Sequence, residues 1–478
     1  MKLSDYVQYD ATGLASLLKT GEVTSVELIR LAREAYEEVN PRVNAVIEFY
    51  EDAETVAGAN TGFFYGVPFL RKDGAAQAGR LQESGSRLMK GHRSETDSVF
   101  FRLARDAGLR TVGRTTLPEF GASGATESIL NGITRNPWNL DRTAGGSSGG
   151  AAAAVAAGIT PIAHGSDGAG SIRGPAAWCG VVGLLPSRGR ISSGGNEDPF
   201  GLGRNFVLCR TVRDMAAALD AFSGPHPGDA FTIVQPSRPY VEELSQRTGT
   251  LRVGLARTTW GLLPVEPEVL RAVDSIASLL EEMGHQVTEI KPPFDFDEYV
   301  KMALLRSDLD APSREAQARV MGRTIGPDTL EPVNFKYYER ARKQSAARGL
   351  SMSDEYEEAV RRMRMRVAEA THSFDILLTP TQPIVAHPHG GTYALTDTTL
   401  SAEEWTRHAY KGCHLPIFNV TGQPAVSLPL AQGSDGMPIG LQIVGRFGDE
   451  ATLVRVARDL EEARPWKDRR PKILAGNG

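Results

Sequence analysis

Residues 141–183, DRTAGGSSGGAAAAVAAGITPIAHGSDGAGSIRGPAAWCGVVG, set two serines in glycine-dense surroundings. Ser147 lies within Gly145-Gly146-Ser147-Ser148-Gly149-Gly150, and Ser171 within Gly168-Ala169-Gly170-Ser171-Ile172-Arg173. Each glycine adds conformational entropy that folding must remove, so such density would only weaken plain core. Around a serine it lets the main chain turn tightly and bring bare N–H groups to a substrate oxygen, as acyl transfer requires. Gly/Ser-rich segments are also common flexible loops. Against a loop here, Ala151 to Ala157 is alanine with one valine, the composition of a tightly packed helix.

Outward from this stretch, helical and strand patterns alternate. Asp10 caps a helix through Lys19 that Gly21 stops, and Thr24-Ser25-Val26-Glu27 is a capping box opening a longer helix that Pro41 closes. Residues 43–49 and 64–70 predict strands, the second delivering Arg71-Lys72-Asp73 at its end; 96–106 predicts a helix and 109–113 a strand. Beyond the central stretch, 186–203 is a Gly/Ser-rich connection, and 251–256, 269–283 and 286–290 form a βαβ unit. Residues 294–371 are charge-rich and mostly helical, packed on the sheet or over its mouth. Strands follow at 375–379, 425–430 and 439–444, and Asp449 caps a last helix to about Ala463, ended by Pro465. No repeat or low-complexity linker interrupts the pattern, so a single α/β domain over 1–478 is expected.

Composition narrows the class. The chain has 478 residues, 41% of them hydrophobic, and a formal net charge of −5, which suits a globular enzyme and leaves no footprint for nucleic acid. The basic run Arg361 to Arg366 follows acidic residues in one helical pattern and is offset by them; Lys467 to Arg470 reads as a solvated tail. Cys179, Cys209 and Cys413 are too few and scattered for a disulfide framework or a metal pair, so a reducing, cytoplasmic setting is expected. No apolar signal core and no run of 18 apolar residues argue against a membrane.

Gly145-x-Ser147-x-Gly149 matches the G-x-S-x-G nucleophile elbow, but an elbow needs a buried strand before the serine, and residues 136–141 read as turn. No lysine follows the glycines as a phosphate-binding loop demands. A serine nucleophile needs a base. Of nine histidines only His164 lies near the serines, in an apolar strand-like run where a packed core role is commoner. His387-Pro388-His389 lacks a partner cluster for a metal. A lysine serves if burial keeps it neutral, and Lys72 leaves a buried strand at its C-terminal end, where α/β sites are built. Ser16-x-x-Lys19 sits on an ordinary amphipathic helix without companion motifs.

Taken in order, Gly66-Val67-Pro68-x-x-x-Lys72-Asp73, the run 145–150, Gly165-Ser166-Asp167-x-x-Gly170-Ser171-Ile172-Arg173-x-Pro175-Ala176 and Cys179-Gly180-Val181-Val182-Gly183-Leu184 resemble the amidase signature family. The resemblance is dense over about 65–190 and weaker beyond, as in Gly422-Gln423-Pro424-Ala425. It implies a mixed sheet of about eleven strands covered by helices on both faces. It implies Ser171 as nucleophile, Ser147 bridging it to Lys72 through a cis peptide, and Lys72 as base. By the same resemblance the N–H groups of Gly168, Ala169, Gly170 and Ser171 hold the oxyanion, Ser148, Asp167 and Arg173 brace the site, and Phe120, Gly121 and Ala122 meet substrate. Ala169 stands where many members carry glycine, which leaves its N–H available.

The implied enzyme is a cofactor-free, metal-free amidase, monomer or homodimer, acting on a small-molecule amide or carbamate. Residues 134–140 and the Gly165 to Ser171 loop look most similar to bacterial members that open cyclic aminohexanoate dimers, and to relatives acting on aryl amides and carbamates. The alternative within the family is a transamidase subunit working in a complex on charged tRNA. A non-catalytic protein that kept the fold would not need all three catalytic positions.

Overall fold

Eleven strands, most of them buried on both faces, form the sheet that carries the site. They are β1 (Val46–Phe49), β2 (Pro68–Lys72), β3 (Arg110–Thr115), β4 (Ile162–Asp167), β5 (Val182–Leu185), β6 (Arg204–Cys209), β7 (Arg252–Leu255), β8 (Gln286–Glu289), β9 (Ile376–Pro380), β10 (Ala425–Gln432) and β11 (Pro438–Gly445). The computed structural model describes residues 1–195, 200–349 and 351–477, so residues 196–199 of the predicted 186–203 connection lie outside the described residues. The spatial order is β1-β3-β2-β4-β6-β5-β10-β11-β9-β7-β8. Pairing is mixed: β2 runs parallel to β3 and β4, β7 runs parallel to β8 and β9, and the strands between are antiparallel. Central strands such as β9 and β11 are buried throughout, which is why they read as continuous apolar runs, whereas the edge strand β8 is largely exposed.

The predicted βαβ unit is present, with Arg252 opposite Gln286 across the parallel pair and the helix Pro267–Glu282 between them. The capping box closes as read: Thr24 Oγ1 accepts from the Glu27 N–H, and the Thr24 N–H donates to Glu27. Pro41 does not close that helix. It runs to Val43, because a proline in the last turn removes one helical bond while the Asn44 N–H still reaches the Asn40 carbonyl at 2.8 Å. Strand β2 begins later than the 64–70 reading and takes in Lys72 itself. The stretch 204–222, to which the sequence patterns assign no element, forms β6 and the helix Val212–Phe222.

Two further readings change. Residues before Ser147 are not simple turn: Asn139–Thr143 pairs with Arg135–Asn136 in a small separate hairpin, outside the central sheet. The run Lys467 to Arg470 is solvated only in part: Lys467 and Asp468 are exposed, whereas Arg469 is half-buried and donates to the Pro429 carbonyl, and the residues on either side of the run are packed. Trp466 is buried and donates to the Arg210 carbonyl, and the N–H groups of Ile473 and Ala475 donate to Pro137 and Ala157.

The alanine run forms the helix Gly149–Ala156, and every residue in it is buried. Small side chains allow this close approach: a Cβ at Gly150 would lie 2.3 Å from Thr116 Oγ1. The charge-rich region resolves into the helices Phe296–Asp308, Ala311–Met321, Pro332–Arg348 and Ser351–Thr371. On the last of these, Arg361 and Arg362 pair with Glu358 at 2.8 and 3.2 Å.

Candidate active site

Lys72 ends β2 and is buried, and its Nζ lies 2.7 Å from Ser147 Oγ, 2.8 Å from Ser148 Oγ and 3.0 Å from Ser166 Oγ. Burial pulls its ammonium pKa down to about 7, against an opposing pull from the Asp167 carboxylate. The lysine is thus surrounded by hydroxyls rather than by carboxylates, which satisfies its hydrogen bonds without fixing its charge.

Ser147 follows a cis Gly146–Ser147 peptide. The turn is packed so closely that a Cβ at Gly146 would lie 2.5 Å from the Ser123 carbonyl oxygen, so only glycine fits there. Ser148 ties the two glycine-rich segments together, its N–H donating to the Ser171 carbonyl at 3.1 Å. Ser171 itself is half-buried, and its hydroxyl has no hydrogen-bond partner among the described residues. Lys72, Ser147 and Ser171 line one cavity of about 1680 Å³.

Asp167 and Arg173 hold the loop between them. Arg173 donates to both Asp167 oxygens at 3.0 Å, to Gln442 Oε1 at 2.8 Å and to Asn419 Oδ1 at 2.7 Å, all of them buried. Burial pushes the Asp167 carboxyl up, but the Arg173 guanidinium and the hydrogen bonds from Arg173, Asn419 and the Gly170 N–H outweigh it, holding the group below its ordinary range. This corrects one expectation. The Gly170 N–H, expected to be free for an oxyanion, is already engaged, donating to Asp167 Oδ1 at 2.6 Å. The N–H groups of Gly168, Ala169 and Ser171 have no partner among the described residues.

His164 is a packed residue of β4, 4.7 Å from the Phe100 ring and 5.2 Å from Phe101. Its Nδ1 accepts from the Lys72 main-chain N–H at 3.3 Å, and burial pushes its pKa down to about 3. It stays neutral and steadies the Lys72 backbone. His389 lies against Glu127 at 3.1 Å, and among the described residues no group of three metal-ligating side chains is assembled.

The family model for amidases matches residues 27–454. The chain belongs to the amidase family. Its relatives include the 6-aminohexanoate-cyclic-dimer hydrolase of Paenarthrobacter ureafaciens, 38% identical with 97% of each chain covered. A solved 6-aminohexanoate cyclic dimer hydrolase with substrate superposes with a TM-score of 0.90 at 35% identity, covering 98% of this chain and 99% of that one. A bacterial aryl acylamidase of the amidase signature enzymes gives 0.83 at 25%, again covering 98% and 99%. The amidase hydrolyses carbon–nitrogen bonds other than peptide bonds, and its mixed eleven-stranded sheet is the fold of those relatives.

Phe120, Gly121 and Ala122 of the amidase all line the cavity. Phe120 adopts a left-handed φ of 53° and carries the Arg314 guanidinium 3.7 Å from its ring centroid. A Cβ at Gly121 would lie 3.1 Å from Ser147 Oγ, so this turn backs the serine directly. Glu119 anchors the turn, accepting from Ser86 Oγ at 2.7 Å and from the Glu331 N–H and Asn334 Nδ2 at 2.8 Å.

Sequence reasoning gives no role to Asn419, Gln442 or the Ser166 hydroxyl. Asn419 and Gln442 come from distant chain segments that only the fold brings to Arg173, and no local spacing announces them. Ser166 does lie within the Gly165 to Ala176 motif, and that position is the one signal that could have found it. The Asp167–Arg173 pair leads to an expected outcome. Asp167→Ala leaves a buried guanidinium without its counter-charge, which costs about 3–5 kcal/mol, so the urea midpoint should fall clearly and activity with it. An unchanged midpoint would show that the pair does not hold the loop.

Proposed function

We propose that the amidase works through an acyl-enzyme formed on Ser171. Ser171 attacks the amide carbonyl as its proton passes to Ser147, whose own proton moves to neutral Lys72. The N–H groups of Gly168, Ala169 and Ser171 receive the oxyanion, and the proton returns by the same route to the leaving amine. Water then repeats the sequence on the acyl group. The observation that carries this reading is Lys72 Nζ 2.7 Å from Ser147 Oγ, on a buried lysine whose pKa is drawn to about 7.

The substrate in this reading is a small-molecule amide, with carbamates and esters open to the same attack. Tyr299, Tyr337, Tyr356, Tyr410 and Phe120 give the cavity broad aromatic walls that suit a bulky acyl or amine part. We read the chain as a cytoplasmic monomer or homodimer that needs no partner. Its likeness to a glutamyl-tRNA(Gln) amidotransferase chain of Thermotoga maritima, TM-score 0.71 at 24% identity over 99% of this chain and 97% of that one, concerns the fold alone. Gel filtration of the purified chain, followed by hydrolysis assays on aryl amides, lactams, carbamates and esters, tests both points; activity only with an added partner would overturn the reading.

The helices between 296 and 371 supply much of the cavity wall. Met302 lines it, whereas Leu304 and Leu305 of the same helix do not. Met302→Ala is therefore expected to shift the ratio of bulky to small acyl substrates by roughly tenfold, the worth of a methylene or two in an apolar pocket, while Leu305→Ala leaves that ratio unchanged. Equal loss on both substrate types would make the helix plain scaffold.

A further inference from the structure

The hydroxyls around Lys72 can be sorted by where each proton must go. Ser148 Oγ donates to the Ser166 carbonyl at 3.2 Å and accepts from the Ser166 N–H at 3.3 Å, so toward Lys72 it can only accept. Ser147 Oγ and Ser166 Oγ each have Lys72 Nζ as their sole hydrogen-bond partner among the described residues. A neutral amine offers two N–H groups and one lone pair. One N–H goes to Ser148. The second has three acceptors in reach, Ser147 Oγ, Ser166 Oγ at 3.0 Å and the Ser166 carbonyl at 3.3 Å, which already takes the Ser148 proton; the shorter bond to the Ser166 hydroxyl leaves the lone pair facing the Ser147 proton.

We propose that Ser166 is a positioning residue of the proton relay, accepting the second Lys72 N–H so that the amine lone pair is aimed at Ser147. The assignment rests on the reading of Lys72 as the base. Its consequence appears when the proton moves. Ser147 gives its proton to Nζ and takes the Ser171 proton, and the ammonium so formed finds acceptors for all three N–H groups already in place at Ser147, Ser148 and Ser166. Nothing has to rotate as charge develops, which is what preorganisation requires. The Ser166 carbonyl, 3.3 Å from Nζ, is a longer acceptor shared with Ser148 and cannot replace the hydroxyl in full.

The charged and titratable groups facing Lys72 are few. Asp167 favours the ammonium; His164 is neutral; Asp73 is held by Arg114 at 2.8 Å and by the N–H groups of Glu83 and Gly85. Removing the Ser166 hydroxyl takes an acceptor from the charged lysine and leaves these groups as they are. In Ser166→Ala the plateau kcat should fall tenfold or more with little change in KM, and the acid limb of the pH profile should move to lower pH. Ser166→Thr, which keeps the hydroxyl, should restore both.

Ser166→Ala, Ser166→Thr and Lys72→Ala are compared on one small amide, with thermal unfolding midpoints recorded for each. If Ser166→Ala keeps the wild-type plateau, or loses rate with an unmoved acid limb that threonine does not rescue, the assignment falls while the relay stands. If Lys72→Ala retains activity, the relay itself falls.

Discussion

Ser171→Ala is expected to lower amide hydrolysis by more than about a thousandfold and to leave the thermal unfolding midpoint unchanged. The two halves of this expectation come from different observations. The hydroxyl makes no hydrogen bond among the described residues, so folding does not depend on it, and the loop is held instead through the Ser171 carbonyl, which accepts from the Ser148 N–H at 3.1 Å. In the proposed acyl-enzyme reading the chemistry depends on it, because among the described residues no other hydroxyl in the cavity both follows the free N–H groups of Gly168 and Ala169 along the chain and is tied through its own carbonyl to the Ser147–Ser148 turn. Circular dichroism with steady-state assays on one preparation checks both. A loss below about a hundredfold would move the nucleophile, and Ser147 would be examined first.

The second large effect concerns pH. In the proposed relay Lys72 must be neutral to accept a proton, and burial draws its pKa down to about 7, so kcat/KM should hold steady above that value and fall tenfold per pH unit below it. The sign follows from the group: burial disfavours the ammonium, so the amine form persists down to near neutrality, and acid restores the inactive charged form. Lys72→Ala should remove the acid limb along with all but about a thousandth of the activity. Lys72→Arg should not rescue it, since a guanidinium stays protonated. His164→Ala should keep the limb, because His164, pushed down to about 3, is already neutral across this range. If the limb vanished with His164 and survived in Lys72→Ala, the assignment of the base would be overturned.

Much of this site is legible in the chain because its parts are short and contiguous. Gly-rich turns, the alanine run and a lysine leaving an apolar strand each carry their chemistry in neighbouring residues, and the fold adds mainly the distance between Lys72 and Ser147. The sheet is legible where strands are apolar on both faces, as in β9 and β11. It is not legible at β6, where Arg204-Asn205 open a strand whose polar start is offset by burial and by antiparallel pairing with β4. Nor could sequence show that the Gly170 N–H is turned toward Asp167. Four consecutive residues offer four N–H groups on paper, but a carboxylate three residues earlier claims one of them, and only coordinates reveal which. Asn419 and Gln442 are unreadable for a related reason: Arg173 is in a motif, while the acceptors that make its burial tolerable lie in the last strands and the helix Pro416–Thr421.

The central claim is that Ser171, served by Lys72 through Ser147, is the residue that bonds to substrate. Its most direct test is to quench the enzyme during turnover of an activated ester in acid, digest it, and locate the acyl mass by tandem mass spectrometry. The expected result is one acyl group on Ser171 in the wild type and none on that peptide in Lys72→Ala under the same conditions. An acyl group on Ser147, on Ser166 or on a residue outside the cavity would contradict the account.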